Sequence, residues 1–386
     1  MLAPILILMC AIGVIGANSL LLAPVVNAVG ASLGASAGEV MRAASAYGLG
    51  VAAAALLLAP LGDRIGAGRV LRAALAVLAL GLAASAMAPG LLALCAAQAL
   101  CGAAAGAALP SIYTLAVVIA PKGRESRVLG LVLSGWTVSM VLGVSISAWA
   151  TALFGWRAVY AALALAALLL WAAAALLRHA GAPSGRASSP LSALRVPGLK
   201  RGLLATALLM MAFYLSYFFT GAHITGRLGL STGQAGLLPL TYGIGFGLAV
   251  LIDPVLDRLG VARATPWVFL GVAASYMALL AVADSYVLLL ALSLFWGMGQ
   301  HLGLNLVVAR VTALDQGQRG AIMGLFSTVT YLCVFAAPVA GAAAYAVWGL
   351  AGCLAISALL AAAEAVEALG LRRVRPSGPA SPGAPA

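Results

Sequence analysis

Residues Ala59–Leu71 read APLGDRIGAGRVL, a short charged turn between two long apolar segments. Its core, Asp63-Arg64-Ile65-Gly66, returns as Asp257-Arg258-Leu259-Gly260, 194 residues further on. The same offset relates Gly123 to Gly317, Gly130-Leu131 to Gly324-Leu325, and Phe154-Gly155 to Trp348-Gly349. One offset that holds at four separate places marks a duplicated unit. At roughly 190 residues of apolar segments the unit is far longer than the ~20–50 residues of a solenoid repeat. It is half of a two-part membrane protein.

Composition identifies the solvent. Apolar residues make up 64% of the chain and charged residues 8%, against roughly 25% charged in soluble domains. So little polar surface cannot cover a fold in water, and the lipid bilayer is its expected partner. The formal charge of +12 is not gathered into one basic patch, which argues against a nucleic-acid partner. Cys10, Cys95, Cys101, Cys333 and Cys353 all fall inside apolar runs. That spacing is neither a disulfide framework nor a metal site, and no cofactor is expected.

Segments long enough to cross ~30 Å of hydrocarbon at ~20 residues each fall at 4–27, 42–61, 70–88, 91–117, 127–150, 157–177, 201–223, 234–255, 264–283, 285–309, 320–343 and 346–368. The expected fold class is an all-α membrane protein of twelve transmembrane helices in two pseudo-symmetric six-helix bundles. The halves are 1–177 and 201–370, joined by a cytoplasmic linker, 178–200, rich in Pro, Ser, Gly and Arg, and followed by a low-complexity tail, 371–386. No Lys or Arg precedes Arg42, so the first segment lacks the basic region of a cleaved signal and reads as a retained span. With both ends cytoplasmic, eighteen of the Lys and Arg residues lie inside, and only Arg42, Arg157 and Arg227 lie outside. The positive-inside rule therefore places both termini in the cytoplasm.

Twelve spans in two sixes, with Asp63-Arg64-Ile65-Gly66 after the second, resemble the major facilitator superfamily of secondary transporters. The chain looks most like the bacterial drug and sugar-efflux type of proton antiporter. The resemblance covers about residues 4–370 and implies a monomer in the bacterial inner membrane. It implies that Asp63, Arg64, Gly66, Asp257, Arg258 and Gly260 serve gating. Asp63 would approach the start of the eleventh span near Gly320, and Asp257 the start of the fifth near Arg127. There a carboxylate gains a few tenths to ~1 kcal/mol from the helix dipole and unpaired amides, only while the cytoplasmic side is shut.

The sequence departs from the family pattern in several places. The motif's opening glycine is Ala59 in one copy and Asp253 in the other. The fourth span keeps a glycine, Gly102, but has Gln98 where the family arginine associated with proton coupling stands. No carboxylate lies mid-membrane in the first half. The fifth span lacks the Gly-Pro of the efflux subgroup. It carries small residues at Gly135, Ser139, Gly143 and Ser147, and the eighth has Gly243, Gly245 and Gly247. Such faces let backbones approach closely in lipid, and the fold family brings these two helices together across the halves. That seam serves either rocking or static packing.

A substrate site is expected near the midplane between the halves. In the tenth span Gly297, His301 and Asn305 share one face, with Gln300 beside them. A polar stripe in hydrocarbon faces a cavity or another helix. His301 titrates near physiological pH and either binds substrate or a coupled proton, or bonds to a neighbouring helix as a neutral group. The other cavity candidates are Asn18, Gln98, Trp136, Tyr214, Tyr217, Tyr242 and Tyr331, whose polar tips and aromatic bodies suit amphipathic organic substrates. Glu364 and Glu367 read as partners for the basic tail.

The leading expectation is secondary transport by alternating access, exporting a small organic compound in exchange for protons. The alternative within the class is uptake or proton-independent passage, favoured by Gln98. A membrane enzyme would need convergent acids, nucleophiles or metal ligands, which three histidines and nine acids spread mostly through loops do not supply. A sensor would carry an added soluble domain, and no phosphate-binding Gly-Lys-Ser/Thr loop suggests ATP-driven pumping.

Overall fold

The computed structural model describes residues 2–58, 61, 64–181 and 190–371. The expectations placed on Asp63, on residues 182–189 and on residues 372–386 lie outside the described residues. Among the described residues eleven helices are long and apolar enough to cross a membrane. The last of them, Arg319–Leu371, holds 53 residues and turns at Gly349 (φ 62°, ψ −156°). It therefore supplies two crossings, and the chain makes twelve in two six-helix bundles.

We number the crossings α1–α12. The first, α1, is two segments, Leu2–Leu20 and Leu22–Leu33, parted where Pro24 has no N–H to offer the Leu20 carbonyl. Next come α2 (Ala37–Leu57), α3 (Ala67–Ala86), α4 (Leu91–Val118), α5 (Arg127–Phe154) and α6 (Trp156–Leu177). The second half holds α7 (Leu199–Arg227), α8 (Thr232–Leu251), α9 (Val261–Ala281) and α10 (Tyr286–Thr312). It ends with α11 (319–348) and α12 (350–371).

The internal duplication is written in the backbone. Gly66 and Gly260 both take positive φ (95° and 76°), as do Gly155 and Gly349 (80° and 62°). A side chain is disfavoured in that region, so both halves turn on glycine at the same two corners. Both α2 and α8 also open with a capping box. Ser36 accepts from the Glu39 amide while the Glu39 carboxylate takes the Ser36 amide; Ser231 and Gln234 repeat the pattern. Such caps contribute ~1 kcal/mol each, and Ser36 starts α2 five residues before the apolar run expected at 42.

Packing repeats as well. α2 lies against α4, and α8 against α10. At their closest approach a Cβ on Gly102 would collide with the Tyr47 carbonyl, and a Cβ on Gly297 with the Tyr242 carbonyl. Without water, helices associate through such contacts and van der Waals packing.

The halves meet along three seams: α1 on α7, α2 on α11, and α5 on α8. Their contacts run from the end that carries Arg157 and Arg227 to about mid-depth. Asn27 donates to Thr225 Oγ1 (2.7 Å) and the Ala222 carbonyl (3.3 Å). Gly38 faces Ala342, Gly48 faces Val334 and Phe335, Gly236 faces Ala148, and Gly243 faces Val141. At the other end, where the charged turns lie, Arg127, Asp257 and Arg258 are exposed and Gly320 has open space around it.

The α5–α8 seam corrects one expectation. α8 presents Gly243 to α5, and Gly247 faces Thr137 there. The α5 stripe turns the other way: Gly135 lies on Met9 and Ile12, and Gly143 on Ala17, all of α1. Residues 137, 141 and 148 occupy a different face of α5 from 135, 139 and 143, so the small residues tighten the first half internally. Where the Gly-Pro of the efflux subgroup is missing, α5 widens into a π turn, Ser139–Val144. Such bulges bend helices without proline.

Candidate functional site

The site grows from the way α8 ends. Pro254 cannot donate to the ladder; the chain breaks at Ile252 and restarts as a short helix, Asp253–Leu259. This sets the Asp253 carboxylate beside α10. The Gly297–Tyr242 contact holds the two helices close enough for one face of α10 to reach it. One turn beyond Gly297, His301 meets the Phe246 ring edge-on, with centroids 4.8 Å apart at 83°. His301 Nε2 lies 3.2 Å from Asp253 Oδ2, and Asn305 Nδ2 donates to Asp253 Oδ1 at 2.8 Å. Asn305 Nδ2 also lies 3.4 Å from His301 Nε2.

Three polar groups thus close on one another in partial shelter, the His301 side chain 13% exposed and Asp253 25%. The separation of His301 Nε2 and Asp253 Oδ2 requires one proton between them, because two bare acceptors repel. Asn305 holds the carboxylate from its other oxygen. The arrangement joins an imidazole, a carboxylate and an amide in one half-sheltered hydrogen-bonded cluster where α8 ends against α10.

The remaining candidates separate into three groups. Asn18 and Gln98 bond to each other twice (3.1 and 3.3 Å), and Gln98 Nε2 donates to Ser85 Oγ at 3.0 Å. Both are buried inside the first half, where they tie α1, α3 and α4. Tyr217 and Tyr242 are buried in an aromatic core of the second half: Phe213 stacks on Tyr217 at 5.1 Å, and Tyr242 meets Trp296 at 4.9 Å. Gln300 is buried on the side of α10 away from Asp253, and its Oε1 has no hydrogen-bond partner among the described residues.

Trp136 of α5 packs on Gly16 of α1, Tyr214 of α7 stacks on Phe218 at 5.5 Å, and Tyr331 of α11 is buried. The Tyr331 hydroxyl on α11 lies within electrostatic range of Tyr47 on α2, Tyr113 on α4 and Tyr214 on α7, and Tyr113 adjoins Trp136 of α5. These side chains of five helices lie near one another, and the Tyr47 hydroxyl itself donates to the Ile15 carbonyl of α1 at 3.4 Å. Tyr47 and Tyr113 were not legible as members, since each is the single aromatic residue of its span. Asp253 was legible only as the wrong residue in a motif. A carboxylate followed by proline at the end of an apolar span is the signal that would have found it.

Glu364 and Glu367 are not left for the tail. Arg310 of α10 reaches Glu364 at 3.4 Å and Glu367 at 2.9 Å, while Arg201 of α7 holds Glu367 at 2.7 Å. Long side chains on α12 turn inward because two guanidiniums are nearer than water. Among the described residues no three His, Cys, Asp or Glu side chains gather as a metal set.

Comparison with known proteins agrees with this architecture. The profile of the Major Facilitator Superfamily matches residues 8–332. The chain is 30% identical over 346 residues to the uncharacterized MFS-type transporter YwfA of Bacillus subtilis (strain 168), covering 87% of this chain and 84% of that one.

Proposed function

The chain belongs to the Major Facilitator Superfamily, a multi-pass family of secondary transporters, and from that premise we propose that it exports a small amphipathic organic compound in exchange for protons through His301 and Asp253. The observation that carries this reading is the 3.2 Å contact between His301 Nε2 and Asp253 Oδ2, a half-sheltered pair where α8 ends against α10. The Tyr47, Tyr113, Trp136, Tyr214 and Tyr331 cluster supplies the substrate surface: aromatic faces for an apolar body and hydroxyls for a few polar atoms.

Alternating access follows from where the halves touch. With the contacts named above gathered toward the end that carries Arg157 and Arg227, and Gly320 in open space at the other, we take the substrate region to open toward the charged turns, which the positive-inside rule places in the cytoplasm of a bacterial inner membrane. Rocking would bring Asp257 to the start of α5 and Asp63 to the start of α11, each a carboxylate against a helix N-terminus. The halves 1–177 and 201–370 move as bodies about the 178–200 linker, within a monomer and without a cofactor.

A second reading, passage without protons, is favoured by Gln98. Its amide is already spent on Asn18 and Ser85, so this helix offers no charge to a coupled carboxylate. Counterflow in proteoliposomes, with and without an imposed pH gradient, separates the two. Substrates first come from a thermal-shift panel of metabolites and drugs. A rate that ignores the gradient would remove proton exchange and leave the facilitator.

A further inference from the structure

At the charged-turn end, α3 and the end of α6 enclose a groove of about 480 Å³ lined by Arg69, Arg72, Ala73, Trp171, Arg178 and His179. Its walls are fixed by backbone. The Ala67 amide donates to the Gly181 carbonyl at 3.1 Å, and the Gly68 amide to the Ala180 carbonyl at 3.3 Å. A Cβ on Gly68 would strike the Leu177 carbonyl, so the turn that carries Arg178 and His179 is clamped onto the start of α3. The groove is a built feature.

Its charge is unbalanced. Three guanidiniums line it and no lining residue is acidic. Arg72 lies over the Trp171 ring, 4.9 Å from its centroid, and Arg72 Nε is buried with no acceptor among the described residues. Arg178 Nε donates to His179 Nε2 at 2.9 Å, which turns the imidazole into an acceptor and leaves the guanidinium's other donors free to face outward. Among the described residues cations crowd here without an anion, and a bound anion would relieve their mutual repulsion.

The surroundings say which anion. Leu165, Leu168, Leu169 and Leu176 of α6 are exposed apolar side chains, as a helix facing lipid presents. A tryptophan between them and the arginines marks the interface. The groove is not a by-product of duplication either. Arg69 answers to Arg263 in the second half, but Arg72 answers to Pro266 and Trp171 to Ala365.

We propose that this groove binds the phosphodiester headgroup of an anionic phospholipid, with Arg69, Arg72 and Arg178 on the phosphate and the acyl chains along α6. Basic pockets between membrane helices at this depth take anionic headgroups, and each arginine near the surface contributes about 1 kcal/mol. Two of them are then worth roughly 30-fold in affinity.

The test uses the full-length protein in phosphatidylcholine nanodiscs or in detergent. Cardiolipin or phosphatidylglycerol is added, and the bound lipid is counted by native mass spectrometry alongside the thermal-shift midpoint. Anionic lipid is expected to be retained and to raise the midpoint. The Arg72→Gln, Arg178→Gln double variant should lose about 30-fold in apparent affinity. Because Arg72→Gln also removes the ring contact with Trp171, the exposed single variant Arg178→Gln serves as a second measure; it should lose about fivefold with its lipid-free midpoint unchanged. Equal retention by the variants would overturn the site. A matching midpoint rise with inorganic phosphate alone would overturn the lipid and leave a phosphate site. Substrate counterflow is not a readout here, so failure would leave the transport reading untouched.

Discussion

His301 of α10 and Asp253 at the end of α8 share a proton-sized gap of 3.2 Å between Nε2 and Oδ2. Asp253 occupies the position that opens the second copy of the charged-turn motif, where the family pattern has glycine. The same departure from the motif thus supplies the second half with a carboxylate just past the end of α8. Partnered by a histidine, it need not stay charged when the site is dry.

Asp253→Asn keeps the shape and the hydrogen bond to Asn305 but removes the proton acceptor. Counterflow driven by a pH gradient is expected to fall at least tenfold, while exchange without a gradient persists. His301→Gln should flatten the pH dependence of gradient-driven counterflow. Wild-type pH profiles in both variants would remove the pair from the coupling mechanism.

Arg310 offers a stability test in the same half. It is 10% exposed and serves both Glu364, wholly buried, and Glu367. Arg310→Ala strands a buried carboxylate, a class of change that costs about 3–5 kcal/mol. The melting temperature should drop steeply. Adding Glu364→Gln should recover much of the loss, because Glu367 still has Arg201. That remaining pair involves a half-exposed guanidinium and is worth ~1 kcal/mol or less. If the double variant were no more stable than the single one, Glu364 would not be the stranded charge.

Gly102→Ala should destabilise the first half by about 1–3 kcal/mol, since the new Cβ meets the Tyr47 carbonyl and α2 must retreat from α4. Gly90→Ala, with nothing within 4 Å of its Cβ position, is the matched control. Equal melting temperatures for the two would contradict the close α2–α4 approach.

These cases mark what the sequence could and could not tell. Asp63-Arg64-Ile65-Gly66 and its copy carried the architecture, because membrane-length runs and a fixed offset are properties of the chain alone. The i, i+4, i+8 face of Gly297, His301 and Asn305 was legible because helical periodicity is local. Partners were not. Nothing along the chain says that Asn18 and Gln98, eighty residues apart, satisfy each other within one half, or that Tyr47 and Tyr113 face Tyr331 across two. The α5 stripe failed for a related reason: spacing shows that Gly135 and Gly143 share a face, but not whether α1 or α8 lies on it.

Gly38 and Ala342 decide whether the halves part. The position of a Cβ on Gly38 lies 3.1 Å from the Ala342 Cβ, a few tenths of an ångström short of disulfide geometry. In a background without the five native cysteines, Gly38→Cys with Ala342→Cys should therefore oxidise readily. The cross-link is detected as two fragments that stay together after a protease site placed in the linker is cut. It pins α2 to α11 at the end where Asn27 meets Thr225. If transport requires that end to open, oxidation should abolish counterflow and reduction should restore it, with substrate binding from the charged-turn side retained. A fully cross-linked protein that transports at the wild-type rate would mean that this seam never separates, and alternation about it would have to be abandoned.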